Sequence, residues 1–244
     1  MGKEDESKLL RKELIDKYIN YGYESLSTLE ILKLLLSFSG NKNVSELAVK
    51  LLGCYGNLNN LCDTDLKTIV KNDNISERSA SLFRIIPVMS RLYNINKQDI
   101  QDFGNPESAA AFLKNCYIGM SEERIAVIAL NHDFSKINYD FLSDGTNMSV
   151  SISSYNISKF ALDNYSDMII MSHNHPLGEC EPSENDIYVT ENIIKVLKNI
   201  NVTLIDHIII GQYESFSMRE HFSDTLFKNV EDYGYKYNII KNEK

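Results

Sequence analysis

Two histidines two residues apart, His173 and His175, follow the apolar run from Met168 to Met171. That run predicts a buried strand, and in extended chain residues two apart point to the same side, so both imidazoles face one way. Pro176 and Gly178 break the strand, and Pro182 marks the end of a short loop. Ser183 then stands where a helix N-cap belongs, and Ile187, Ile193, Ile194, Val196, Leu197 and Ile200 give the helix an apolar face. Asp186 falls in its first turn. Two imidazoles at a strand end and one carboxylate at a helix start can converge on a point. That is the ligand set of a catalytic zinc, with a fourth position left for water. The same residues have a plainer reading. Ser183 and Asp186 are spaced as an S/T-x-x-D/E capping box, which stabilises a helix start without a metal. Aspartate in a first turn is also favoured by the helix dipole.

The order His-x-His-Pro, six residues, Ser, two residues, Asp resembles the metal-binding signature of JAMM (MPN-type) zinc metallopeptidases. The form His173-Asn174-His175-Pro176-x-Gly178, followed by Glu181-Pro182-Ser183 and Asp186, is similar to the RadC branch of bacterial proteins, and the likeness extends from about Leu29 to Glu220. The resemblance implies Zn2+ held by His173, His175 and Asp186. It also implies a general base just before the first strand of the domain, where Glu122 and Glu123 stand. Aligning Arg124 to Asn131 on the family's strand puts that role on Glu123; without the family, a glutamate there is ordinary solvated surface. Zinc would lower the pKa of its water to roughly 7. Glu123 would take the proton and later hand it to the leaving amine of a peptide or isopeptide bond. Ser183 would hydrogen-bond the developing oxyanion, in competition with its capping role.

Several positions depart from the family or stay open. Leu177 stands where the branch has Ser, and Tyr155 where it has Arg. Cys180 lies in the metal loop, although the two histidines and Asp186 already complete a three-ligand site. Asp206-His207 matches the family, and His207, in an apolar strand, is expected to be a satisfied core histidine. His132 and His221 have no convergent partners and no assigned function.

The 244 residues are 43 % hydrophobic and 24 % charged, enough for a sizeable core in one large domain or two small ones. A net charge of −9 excludes a general nucleic-acid binder, because phosphate contacts need clustered Lys and Arg. Cys54, Cys62, Cys116 and Cys180 show no CxxC spacing and are expected to be reduced thiols in a cytoplasmic protein. No apolar run has the length of a membrane span, and the charged N-terminus is not a signal peptide.

Residues 1–95 predict helices. Lys8 to Asn20 is one; Ser27 with Glu30 caps a second; Asn43 with Glu46 caps a third, stopped by Gly53 and Gly56; Asp63 caps a fourth; Ser76 starts a fifth that Pro87 should kink. The resemblance implies a helix-hairpin-helix-like, DNA-backbone-binding module here. Its Gly-hydrophobic-Gly hairpin is replaced by Asn74-Ile75-Ser76, and Lys67, Lys71, Arg78 and Arg84 are balanced by Asp63, Asp65, Asp73 and Glu77. A helical packing or interaction module is therefore the favoured reading over a DNA binder. After a polar linker from Asn96 to Phe103, Asn105-Pro106-Glu107 starts a helix running to about Tyr117. Strands follow at Arg124 to Leu130, Phe134 to Leu142, Val150 with Ile152, Val202 to Ile210 and Ser215 to Met218, with a turn at Gly145-Thr146 and a helix from Ile157 to Asn164. The expected fold is α+β: the helical module, then an MPN-type mixed sheet flanked by helices over residues 104–226, then a polar tail at 227–244.

Three function classes remain. The first is a zinc-dependent hydrolase acting on a protein or peptide. The second is a DNA-repair-associated accessory protein. The third is a catalytically silent scaffold.

Overall fold

A computed structural model describes residues 3–41, 43–73, 75–97, 102–142, 154–176 and 178–240. The turn expected at Gly145-Thr146, the strand at Val150 and Ile152, Asn74, Leu177 and linker residues 98–101 lie outside these residues. The chain divides into two compact units, Met1–Leu92 and Tyr93–Lys244.

The first unit is helical: α1 Lys3–Tyr21, α2 Thr28–Phe38, α3 Val44–Tyr55, α4 Leu58–Asp63, α5 Leu66–Asp73 and α6 from Glu77, which continues to Lys97. Its core gathers Leu32 and Leu36 of α2, Ala48 and Leu51 of α3, Leu61 of α4, Ile69 of α5 and Phe83 of α6. The Ser27–Glu30 capping box forms in both directions. Two local expectations are corrected. Helix α3 runs through Gly53 and ends only at Gly56, whose φ of 76° glycine adopts without a Cβ clash. Helix α5 is capped by Asp65, whose Oδ1 accepts from the N–H groups of Lys67 (2.9 Å) and Thr68 (3.1 Å). Asp63 instead closes α4, a short helix capped by Asn57. Pro87 lies inside α6, which is helical on both sides of it.

The second unit is a mixed five-stranded sheet flanked by helices. Helix α7 (Pro106–Cys116) precedes β1 (Ile125–Leu130) and β2 (Lys136–Phe141); α8 (Ser154–Asp163) precedes β3 (Met168–Asn174); α9 (Glu184–Lys198) precedes β4 (Thr203–Ile210), β5 (Ser215–Ser217) and α10 (Met218–Phe222). The strand order is β2-β1-β3-β4-β5, and among the described residues only the β3–β4 pair is parallel. That pair is joined through α9, as a parallel connection requires. Strands β1 and β3 are buried on both faces, which is why they are near-continuous apolar runs. Alternate residues serve opposite sides. Ala126, Ile128, Met168 and Ile170 pack with Phe112 and Leu113 of α7. Val127, Ala129, Ile169 and Met171 pack with Ile157 of α8 and Ile193 and Leu197 of α9. Each such side chain is worth roughly 1.5–3 kcal/mol when fully buried. Phe227 and Tyr235, in the segment expected to be a polar tail, are buried in these same two clusters. No helix among the described residues is long and apolar enough to cross a membrane.

Candidate metal centre

The alternation that sends Ile169 and Met171 toward α9 carries on to His173, two residues further along β3. The strand end is held from both sides, because His173 pairs with Ile125 of β1 and with Ile209 of β4. His175 lies one residue beyond the strand and is fixed twice. Its N–H donates to the Ile210 carbonyl at 2.8 Å, and its Nδ1 lies 2.7 Å from the Glu179 carbonyl. A carbonyl only accepts, so Nδ1 carries the proton and Nε2 of a neutral His175 is a bare lone pair.

The capping box at the start of α9 supplies the third group. Ser183 Oγ accepts from the Asp186 N–H at 3.2 Å and donates to Asp186 Oδ2 at 2.6 Å, and the Ser183 N–H donates to the same oxygen at 2.8 Å. The cap occupies only Oδ2. Oδ1 is left 3.6 Å from His173 Nε2. The two readings of Ser183 and Asp186 are thus compatible: one carboxylate oxygen caps the helix, and the other faces the histidines.

His173 Nε2 and His175 Nε2 lie 2.9 Å apart, and a ligand atom from each of His173, His175 and Asp186 lies within 4.8 Å of the others. Burial pushes His173 down to about 4, with the Asp186 carboxylate opposing and His175 adding to the fall. The neutral imidazole that this favours is the metal-binding form. Two imidazole nitrogens and a carboxylate oxygen converging without a hydrogen-bond donor of their own fit a cation, and nitrogen and oxygen donors in this number suit zinc.

Glu123 is exposed and stands two residues before Ile125, the β1 residue paired with His173. Its side chain has no hydrogen-bond partner among the described residues. Its backbone neighbours are held by Asn174, a residue whose part was not evident from sequence. Asn174 Oδ1 accepts from the Arg124 N–H at 2.7 Å, and its Nδ2 donates to the Glu122 carbonyl at 3.1 Å. One carboxamide thus clasps the chain on both sides of Glu123.

His207 is fully buried and satisfied, but it is more than a core residue: its Nε2 lies 2.8 Å from His173 Nδ1. Its Nδ1 lies 2.7 Å from Oγ1 of Thr190, on the buried face of α9. Neither contact is a sequence-local one. Cys180 is buried, and its thiol is not part of the donor group. Its backbone explains Gly211, where a Cβ would meet Cys180 and the Gly178 carbonyl at 3.2 Å. His132 pairs with Asp167 at 3.2 Å, and His221 stacks on Phe216, outside the donor group. A groove of about 710 Å³ between α9 and residues 222–233 is lined by none of the three donors.

A model of the RadC-like JAB domain matches residues 103–223. A UPF0758 protein of Clostridium tetani is 32 % identical over 208 residues, spanning 84 % of this chain and 91 % of that protein.

Proposed function

Because this chain belongs to the family of RadC-like JAB domain proteins, we propose that it is a zinc-dependent hydrolase of peptide or isopeptide bonds with a protein or peptide substrate. The observation that carries this reading is the convergence of His173 Nε2, His175 Nε2 and Asp186 Oδ1, together with Glu123, a carboxylate two residues before the β1 partner of His173 and without a hydrogen-bond partner among the described residues. Those three atoms would hold the metal. Zinc bound there supplies Lewis acidity, which polarises a carbonyl and brings the pKa of water down to about 7.

The chain's own residues do the remaining work. The Glu123 carboxylate takes a proton from the attacking water and delivers it to the leaving amine. Asn174 fixes the peptides on either side of Glu123 and so limits where that carboxylate can reach. Asp186 is aimed by its cap, because Oδ2 is held by the Ser183 N–H and hydroxyl. For Ser183 to stabilise an oxyanion, its hydroxyl hydrogen turns from Oδ2 to the substrate, while the Ser183 N–H retains Oδ2. The helical unit is read as a packing or interaction module; Arg84, one of the four cations near the replaced hairpin, donates Nη1 to the Cys62 carbonyl at 2.6 Å.

The test is elemental mass spectrometry of the purified protein beside His173→Ala and Asp186→Ala. The expected result is one zinc per chain in the wild type and a loss in both variants. Glu123→Gln should keep zinc and lose cleavage of a peptide library. Wild-type cleavage by Glu123→Gln would remove the base from Glu123. An absence of metal after zinc is supplied would leave Ser183 and Asp186 as a helix cap. A salt titration with duplex DNA would then decide between the accessory and scaffold readings.

A further inference from the structure

The contacts behind His173 carry a direction that can be worked out by counting hydrogens. Thr190 Oγ1 lies 2.6 Å from the Asp186 carbonyl and 2.7 Å from His207 Nδ1. A hydroxyl has one hydrogen. The carbonyl has none, so the short contact to it takes the hydroxyl hydrogen, as in the back-bonding of a helical threonine to residue i−4. The Met218 sulfur, 3.5 Å away, is a weak acceptor and does not compete. The opposite arrangement, with Thr190 donating to His207, would leave two acceptor oxygens 2.6 Å apart with no hydrogen between them.

The rest follows in sequence. His207 Nδ1 carries a proton and donates it to Thr190. His207 is fully buried, and its ring nitrogens meet Thr190 and His173 with no carboxylate against them among the described residues, so the neutral ring has a bare Nε2. The 2.8 Å contact from that nitrogen to His173 Nδ1 needs a hydrogen, which His173 supplies. His173 therefore keeps its proton on Nδ1 and presents a bare Nε2 to His175 and Asp186; the one short contact left without a hydrogen is the 2.9 Å pair of His173 Nε2 and His175 Nε2, which is where a cation would sit. The loop closes on itself: Thr190 takes its own orientation from the backbone of Asp186, another member of the donor group.

We propose that Thr190 and His207 are positioning residues that set the tautomer of His173, through the ordered chain from His173 Nδ1–H to His207 Nε2, His207 Nδ1–H to Thr190 Oγ1, and Thr190 O–H to the Asp186 carbonyl. The two residues touch neither substrate nor metal. They act by keeping the ligating nitrogen unprotonated and the ring in one orientation, so that the donor group is preformed. This role rests on the metal reading of His173, His175 and Asp186, and the tautomer is read from the ring spectra separately from metal binding. Without the Thr190 acceptor, His207 is free to carry its proton on Nε2. His173 Nδ1 must then accept, and its own proton moves to the nitrogen that should ligate.

The experiment uses the full-length chain and two readouts. The first is 15N NMR of the histidine rings in chelator-treated protein. The expected result is Nδ1–H on both His173 and His207 in the wild type, with a population of Nε2–H in Thr190→Val, which keeps the shape and the β-branch. The second is zinc affinity by competition with a chromophoric chelator. Thr190→Val should weaken zinc binding by about 10–100-fold, the usual loss when a ligand's hydrogen-bond partner is removed. Thr190→Ser, which keeps the hydroxyl, should restore both readouts. Far-UV circular dichroism and the dispersion of the amide spectrum confirm that each variant is folded. His173 protonated on Nε2 in metal-free wild type would overturn the proposal. So would Thr190→Val with wild-type zinc affinity and tautomers. Failure of the wild type to bind zinc would sink the metal reading, while the ring spectra would still decide the tautomer.

Discussion

Asp206 should cost the protein stability at neutral pH, and replacing it by Asn should return that stability. The residue sits on β4 beside His207, fully buried. Its Oδ1 accepts from the N–H groups of His207 (2.7 Å) and Arg219 (2.9 Å), and its Oδ2 from the hydroxyls of Ser217 (2.6 Å) and Tyr235 (3.2 Å). Arg219, the buried cation nearby, turns its guanidinium away, to the carbonyls of Ile205 and Val230. Burial raises the Asp206 carboxyl from its ordinary 3.8 to about 6, and the four hydrogen bonds only partly offset that. The folded state therefore holds the proton more tightly than the unfolded chain. Stability from this group is complete below about 3.8 and is lost as pH rises through about 6. At 1.36 kcal/mol per pKa unit, the loss by pH 7 is about 3 kcal/mol, of which about 2 falls between pH 4.5 and 7.5.

In Asp206→Asn the amide oxygen keeps both backbone donors, and the amide nitrogen meets two hydroxyls that can accept. The assay is urea unfolding of wild type and variant at steps from pH 4.5 to 7.5, with a chelator present. His173, depressed by burial to about 4, works in the opposite sense: its contribution is present above its ordinary 6.5 and is lost as pH falls through about 4. It is the same in both proteins and cancels in the difference. The variant should gain about 2 kcal/mol on the wild type across that range, with unchanged m-values. A difference that stays flat with pH would mean that Asp206 titrates normally and that burial does not govern it.

Two further outcomes are expected from the capping and clasping groups. Ser27→Ala and Ser183→Ala remove the same kind of capping box and should each lower stability by about 1 kcal/mol in urea melts, but only Ser183→Ala should also slow hydrolysis, by roughly 10²–10³-fold. Equal stability losses with unchanged turnover would leave Ser183 as a cap alone. Asn174→Ala should leave zinc content intact and cost about 1–2 kcal/mol from two lost hydrogen bonds, while amide hydrogen exchange speeds up at Arg124. Unchanged exchange at Arg124 would show that Asn174 does not hold the segment bearing Glu123.

The local features of this protein were legible because their physics is local. Period-two alternation put His173 on the α9 side of β3, and it depends only on the strand being extended. The two capping boxes and the Asn105-Pro106 start depend on residues within three positions of each other. Errors arose where neighbouring residues offered equivalent local choices: Asp65 is the cap of α5 rather than Asp63, α3 passes through Gly53 and stops at Gly56 alone of the two expected glycines, and α4 carries too few residues for a period to emerge.

The tertiary structure decided what those local pieces do together. Strand β3 lies parallel to β4, and that pairing alone brings His207 behind His173, 34 residues earlier in the chain. Antiparallel pairing with β1 lets Asn174 clasp the chain on both sides of Glu123. The packed faces of the sheet take in Phe227 and Tyr235, from a segment polar by composition. Sequence spacing determined the donor types and the face of β3 that carries His173. Strand order and register decided which buried groups stand behind those donors, because hydrogen bonds between residues tens of positions apart form only once the sheet has fixed their distance.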